Sequence, residues 1–288
     1  MSKIAAVVVW YNPEKTVLNN INTYINQIDK IFIVDNSDYN NNSLLEKLQT
    51  LSNTEYIANK NNIGIAAALN IGANKAVKEG FDYLLTMDQD SEASPLMVAY
   101  LLDCFSKDSK IALVSPVFQH KIGKNLIQQA RKDCEQIYTA WTSGNLLDLN
   151  VFKLSGGFKE DLFIDYVDHE FCLRLKKMGF KIYVCNKTIL RHSLGKIEEI
   201  NLIFRKVYPT NHSALRHYYR TRNRFYVKKI YKKIMPAFFK LDDKEFWKGF
   251  FKAILFERDK LEKIKFFLMG YIDYKKNKLG KFKITNTK

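Results

Sequence analysis

No stretch of this chain approaches the ~20 consecutive apolar residues that cross a bilayer as one helix, so no transmembrane helix is expected. A leader is not expected either, because Met1-Ser2-Lys3 runs straight into the first apolar segment. Internal repeats and low-complexity linkers are also missing. Cys104, Cys134, Cys172 and Cys185 contain no CxxC pair. They read as reduced core thiols in a cytosolic protein, not as a disulfide framework or a zinc site. Acid is scarce in one region only. Residues 1–200 hold 22 Lys and Arg against 23 Asp and Glu, a net charge of −1, whereas residues 201–288 hold 24 against 7, a net of +17.

What is present is a globular chain of 288 residues with 47% hydrophobic content, enough for one large domain or a domain with an appendage. The charge turnover places the boundary near residue 200, giving a body over 1–200 and a basic region over 201–288. The second region also carries 19 of the 39 Phe, Trp and Tyr residues.

Apolar periodicity organises the body. Ile4 to Trp10 is a continuous β-branched run and reads as a central parallel strand. A helix is expected from Pro13 and Thr16 through Ile28, then strands over Ile31–Val34 and Glu55–Ala58, and a helix from Ile65 to Glu79. Tyr83 to Met87 reads as a buried strand, Ser94-Pro95 opens another helix, and Ile111–Val114 is the next strand. Helical periodicity returns after Val167 and stops at Gly179, followed by a short strand from Lys181 to Cys185. Strands alternating with helices at this pace predict an α/β fold with a Rossmann-like, mostly parallel central sheet flanked by helices.

On such a sheet the loops after the strands share one edge and form one crevice. Those loops hold Tyr11-Asn12-Pro13, Asp35-Asn36, Asn59 to Gly64 and Asp88-Gln89-Asp90. Two carboxylates one residue apart at a strand end suit Mg²⁺ or Mn²⁺, which complete their shells with phosphate oxygens. A nucleotide diphosphate fits these loops: Tyr11 could stack on the base, Asp35 could accept from a base N–H, and Asp90 could hold a metal that neutralises the diphosphate. A second acidic cluster, Asp165, Asp168 and Glu170, lies among apolar residues. There a carboxylate either caps a helix or serves as a general base, and Glu170 reads as structural or positioning. His192, at a strand exit, could be the third metal ligand or a phosphate contact.

These residues resemble the family 2 glycosyltransferases of GT-A fold. The likeness rests on Tyr11-Asn12, Asp35-Asn36, Asn61-Asn62-Ile63-Gly64-Ile65-Ala66 and Asp88-Gln89-Asp90. It continues through Thr142-Ser143-Gly144, Gly156-Gly157-Phe158, Phe163 to Asp168 and His192-Ser193-Leu194-Gly195. The Phe163 to Asp168 block and Tyr218-Tyr219-Arg220-Thr221-Arg222-Asn223 are similar to the bacterial rhamnosyltransferase branch. The resemblance covers residues 4–226. It implies a donor site at Tyr11, Asn12, Asp35, Asn62, Gly64, Asp88, Gln89 and Asp90, and an acceptor site at Trp141, Ser143, Gly144 and Asp165. It also implies metal contacts by Asp90, Asp88 and His192, and Asp168 as the catalytic base. Where the family has Glu-Asp this chain has Val167-Asp168, so Asp168 is the one acid that matches. The implied activity is an inverting transfer of L-rhamnose from dTDP-rhamnose to a hydroxyl of a lipid-linked saccharide in cell-surface polysaccharide synthesis.

The basic region is expected to be helical. Phe238-Phe239, Phe246-Trp247, Phe250-Phe251 and Phe266-Phe267, flanked by Lys, fit an anionic membrane surface on its cytoplasmic face. Solvated helices or a homodimer contact are the other readings, and a nucleic-acid partner is not expected. A UDP-hexose donor and a non-catalytic peripheral scaffold are the competing functions. A nucleotidyltransferase is disfavoured, since Trp10 to Lys15 has no glycine and a single lysine.

Overall fold

In a computed structural model, which describes residues 2–39, 41–120, 132–192, 200–202 and 205–283, the chain divides into two units. The first comprises residues 1–160 and 167–193, the second 161–166 and 194–288. The boundary therefore falls slightly before residue 200, and six residues from within the body belong to the second unit. Ser193, Leu194 and Gly195 lie outside the described residues.

The first unit is built in chain order from β1 (Ile4–Trp10), α1 (Val17–Asn22), β2 (Lys30–Asp35), α2 (Asn42–Leu48), β3 (Thr54–Ala58), α3 (Ile65–Lys78) and β4 (Tyr83–Asp88). It continues with β5 (Ser91–Ala93), α4 (Met97–Phe105), β6 (Ile111–His120), β7 (Cys134–Ile137), β8 (Asn145–Asp148), α5 (Leu149–Ser155), α6 (Val167–Lys177) and β9 (Lys181–His192). The strand order is β3-β2-β1-β4-β8-β6-β9-β5, with β7 paired to β9. The β3-β2-β1-β4 half is wholly parallel, as its continuous apolar runs predict. Beyond β4 the sheet is mixed, because β8 inserts antiparallel between β4 and β6. β8 is four residues long and lies between a left-handed Gly144 and the helix cap Asp148, too short to show a period in sequence.

Two further expectations shift. The helix expected to reach Ile28 stops at Asn22, followed by a 3₁₀ turn over Ile25–Gln27. Asn19, Asn20, Asn22 and Thr23 are weak helix formers, and the Thr23 hydroxyl accepts from the Ala93 N–H at 3.0 Å instead of facing solvent. The strand expected over Lys181–Cys185 runs on to His192, where pairing with β5 carries it to the crevice edge.

β1 is buried on both faces. Ala6, Val8 and Trp10 join a core with Ile31, Ile33, Leu85, Met87, Ile21 and Leu101, while Val7 meets α3. α3 approaches so closely that a β-carbon on Gly72 would sit 2.8 Å from Val7 Cβ, and nearer still to its Cγ2. Gly72→Ala is therefore expected to destabilise the fold by ~1–3 kcal/mol through overpacking, read as a lower denaturant midpoint at unchanged m-value.

The cysteine expectation is corrected. Cys104 on α4 and Cys134 on β7 form a disulfide, and Cys172 and Cys185 are buried free thiols. β7 pairs antiparallel with β9 and places Cys134 opposite Cys185, against which α4 packs. The 30-residue separation of the bonded pair carries no sequence signature, and the inference from thiols to a cytosolic compartment loses its basis.

The second unit contains β10 (Ile200–Leu202) and β11 (Arg205–Val207), an antiparallel pair, then α7 (Ala214–Tyr231), α8 (Pro236–Phe256) and α9 (Lys260–Lys275). α7 and α9 pass in close contact, since a β-carbon on Gly270 would lie 2.5 Å from the Tyr218 carbonyl oxygen. Part of the positive excess is internal. Arg222, Arg224 and Lys263 are buried, and Arg224 pairs with Asp242 and Asp243 while Lys263 pairs with Glu257 at 2.7 Å. Residues 161–166 join this unit through α7. Asn223 Nδ2 donates to the carbonyls of Leu162, Ile164 and Asp165 at 2.8–2.9 Å, and Arg216 holds the Asp165 carboxylate through two bonds of 2.9 and 2.7 Å. The grip keeps Phe163, Asp165 and Tyr166 at φ values of 62–66°, a left-handed conformation costly for residues with a β-carbon.

Burial holds the imidazole of His217 down at about 4, with Glu257 opposing the shift and Lys263, Arg220 and His212 adding to it. A folded-state value below the unfolded one makes the neutral form the stabilising one. That stability is complete above about pH 6.5 and is lost as pH falls toward 4. The urea midpoint is expected to drop between pH 7 and pH 5, and to drop less in His217→Gln.

Candidate active site

The crevice forms where β1, β2 and β4 end. After β1, Tyr11 is exposed, and its backbone N–H and carbonyl are both bonded to the Gln89 amide at 2.9 and 3.2 Å. Gln89, expected in the donor site, thus ties the first loop to the acidic loop. Asn12, at φ 47°, donates its N–H to Ser37 Oγ at 2.7 Å.

At the end of β2 the buried Asp35 carboxylate accepts from Tyr56 Oη and from the Ser37 N–H, each at 2.8 Å. Burial and this carboxylate both push the Tyr56 phenol up, so it stays a donor. Asn36 Nδ2 donates to the Gly64 carbonyl at 3.2 Å, and Asn62 Oδ1 accepts from the Gly64 N–H at 3.0 Å. Gly64, at φ 91°, turns the chain into α3 where a β-carbon would be strained. Asp35, Asn62 and Gly64 therefore share one hydrogen-bonded rim.

The acidic loop lies across the sheet edge from it. Asp88, Asp90 and His192 place one ligand atom each within 4.8 Å of one another. His192 Nδ1 is 3.3 Å from Asp90 Oδ1 and 2.9 Å from Ser91 Oγ. A relay supports the trio, in which Asp88 N–H donates to Ser143 Oγ at 3.0 Å and Ser143 donates to Ser91 Oγ at 2.8 Å. Ser143, expected in the acceptor site, is buried within this relay. Ser91 was not singled out in sequence; its signal was adjacency to Asp90. Two carboxylates and an imidazole so placed suit a divalent cation such as Mg²⁺ or Mn²⁺.

Gly144 lets the chain pass Pro116 at φ 78°, since a β-carbon would lie 2.8 Å from Pro116 Cγ. Trp141 packs edge-on to Phe118, with ring centroids 4.8 Å apart, and keeps an exposed face. Asp168 is the second residue of α6, and Oδ1 accepts from the His169 N–H at 2.7 Å. It borders a narrow cavity with Thr86, Thr142, Asn145 and Cys172. Asn145 Oδ1 is buried with no hydrogen-bond partner among the described residues, an acceptor that sequence reading missed. Thr142 faces the Asp168 cavity while the adjoining Ser143 supports Asp88, so one short segment serves both acidic groups. Glu170 is structural as expected: it binds Arg174 at 2.9 Å, which in turn grips the Gly157 carbonyl at 2.6 Å. Asp165, expected with the acceptor residues, lies in the second unit and is committed to Arg216.

The glycosyl transferase family 2 profile matches residues 5–171, more than half the chain and all of these loops but the His192 strand. The chain belongs to glycosyl transferase family 2. This glycosyltransferase is 31% identical over 247 residues to the dTDP-rhamnosyl transferase RfbF of Shigella flexneri, covering 78% of this chain and 79% of that one. It falls in the rhamnosyltransferase branch. Among solved structures it is similar to S. aureus TarS 1–349 in complex with UDP-GlcNAc, with a TM-score of 0.60, 14% identity and coverage of 94% of this chain and 80% of that one. It is also similar to GalNAc-T7 with UDP, GalNAc and Mn²⁺, with a TM-score of 0.57 and 17% identity over 66% of this chain; it spans 43% of that chain. These two likenesses bear on the GT-A fold alone.

Proposed function

We propose that this glycosyltransferase moves L-rhamnose from dTDP-rhamnose, with inversion, onto a hydroxyl of a lipid-linked saccharide in cell-surface polysaccharide synthesis. The observation that carries the donor assignment is the 31% identity with dTDP-rhamnosyl transferase RfbF over 78% of the chain.

The donor's base and ribose would lie along the Tyr11, Asp35, Asn62 and Gly64 rim, its diphosphate toward Asp88 and Asp90. Asp90, Asp88 and His192 would hold the Mg²⁺ or Mn²⁺ ion. Bound there, a divalent cation supplies Lewis-acid stabilisation of charge on the departing nucleoside diphosphate. Asp168 takes the proton from the acceptor hydroxyl as its oxygen attacks the anomeric carbon opposite the leaving group. Trp141 offers the acceptor sugar an aromatic face, while Ser143 and Gly144 shape the wall between donor and acceptor. No covalent enzyme intermediate is required.

The acceptor's lipid would bring the enzyme to the inner face of the cell membrane as a peripheral protein. No described helix is long and apolar enough to cross a membrane, yet α8 and α9 expose Trp247, Phe251, Leu255 and Leu268 beside lysines. The test is calorimetric titration with dTDP-rhamnose, UDP-glucose, UDP-galactose and GDP-mannose, with Mn²⁺ and with chelator. Metal-dependent binding of dTDP-rhamnose is expected. Preference for a UDP sugar sinks the rhamnose assignment, and binding of none of the four sinks the donor reading.

A further inference from the structure

α7 carries four arginines, Arg216, Arg220, Arg222 and Arg224, and three of them have partners inside the second unit. Arg216 pairs with Asp165, Arg222 donates to the carbonyls of Leu162 and Gly280, and Arg224 pairs with Asp242 and Asp243. Arg220 is the exception. Half-buried, its guanidinium has no hydrogen-bond or ion-pair partner among the described residues. A guanidinium presents a planar fork of donors that matches phosphate, and leaving it unpaired at a half-buried position costs stability.

Its surroundings are cationic and open. The guanidinium lies over Gly249 of α8, where a β-carbon would sit 3.5 Å from Nη2 and 3.6 Å from Nη1. A larger side chain there would cover the fork. Glycine, unfavourable in the middle of a helix, leaves it clear. One turn on, Lys252 donates to the Tyr208 carbonyl at 2.9 Å, which leaves further ammonium donors for another acceptor. Burial and the charges of Arg220 and Lys248 hold the Lys252 ammonium below the usual lysine range, against the pull of nearby Glu257. The carboxylates of this neighbourhood are already engaged, Asp165 by Arg216 and Asp242 by Arg224. Glu257 is bonded to Lys263 and Thr210, and Glu245 meets exposed Lys248 at 3.5 Å.

The helix period puts an apolar stripe beside these charges. Lys244, Lys248 and Lys252 form one row of α8 at four-residue spacing, and exposed Trp247, Phe251 and Leu255 form the adjoining row. Trp247 also contacts Phe250 and Phe267, so the stripe continues onto α9.

We propose that Arg220, Lys252 and Lys248 form a phosphate site for the phosphate or diphosphate head of an amphiphile whose hydrocarbon lies along Trp247, Phe251 and Leu255. Charge and apolar surface side by side on one helix select such a ligand over a free phosphate. The proposal rests on the reading of a lipid-linked acceptor for the role of the amphiphile, but its binding requires no sugar transfer.

The test is sedimentation of the full chain with phosphatidylcholine vesicles doped with a polyprenyl phosphate, or with phosphatidylglycerol at equal surface charge, without any sugar donor. The expected result is tighter binding to the polyprenyl phosphate vesicles. Arg220→Gln should weaken it ~10–100-fold, as loss of charged hydrogen bonds does. Lys265→Gln, an exposed charge on α9, should weaken it no more than about fivefold. Gly249→Leu, which covers the fork without changing charge, should reproduce the Arg220→Gln loss and stands in should that variant misfold. Equal losses in Arg220→Gln and Lys265→Gln, equal binding to both vesicle types, or inorganic pyrophosphate binding as tightly as the vesicles would each overturn the proposal. Because no donor is present, these outcomes leave the transfer reading untouched; only the donor titration bears on that.

Discussion

Asp168→Asn is expected to leave donor affinity within about twofold while lowering turnover by ~10²–10⁴, the range supplied by a positioned general base. Asparagine keeps the side chain's size and can still accept the His169 N–H that Asp168 Oδ1 accepts at 2.7 Å, so the start of α6 keeps its cap contact. What it removes is the capacity to take a proton. The measurement is paired: calorimetric donor titration on one side, and rhamnose transfer with nucleoside diphosphate release on the other. A deficit confined to kcat marks an interaction made only in the transition state. Near-normal turnover would remove the base role from Asp168 altogether. Position 167 offers no fallback, since it holds a valine.

The second large effect is expected at Asp90. Its carboxylate is 3.3 Å from His192 Nδ1 and lies in the only described cluster that combines two carboxylates with an imidazole. Asp90→Ala should weaken Mn²⁺ binding at least 10–100-fold, the loss already produced by removing outer-shell partners in metal sites. Electron paramagnetic resonance of Mn²⁺ reads this directly, apart from catalysis. Donor binding in the presence of metal should fall to the level that wild type shows with chelator. Retention of metal-dependent donor binding in Asp90→Ala would move the site elsewhere.

The sequence was most legible where burial on two faces forced long apolar runs. β1, β2 and β4 declared themselves through Ile4–Trp10, Ile31–Val34 and Tyr83–Met87, and their polar ends marked the crevice. What stayed hidden depends on contacts distant in sequence. β8 is four residues long and its antiparallel pairing follows from the turn at Gly144. The Asp88–Ser143–Ser91–His192 relay joins residues 52 to 101 positions apart. No local pattern announces that Arg216 claims Asp165, or that Cys104 meets Cys134. The charge asymmetry was visible, but its division between internal ion pairs and exposed lysines was not, because burial of Arg222 and Arg224 rests on carbonyl and carboxylate partners elsewhere in the chain.

The hold of Asn223 and Arg216 on residues 161–166 limits how such enzymes can be recombined. A chimaera that exchanges everything after residue 200 with a relative lacking side chains equivalent to Arg216 and Asn223 would inherit a foreign helix opposite its own Phe163 to Tyr166. The segment that contains the three left-handed residues would then lose the bonds to the Leu162, Ile164 and Asp165 carbonyls and to the Asp165 carboxylate. The exchangeable module is discontinuous, the carboxy-terminal region together with six residues set inside the catalytic body. Compatibility between the two pieces, more than either alone, should decide which combinations yield soluble protein.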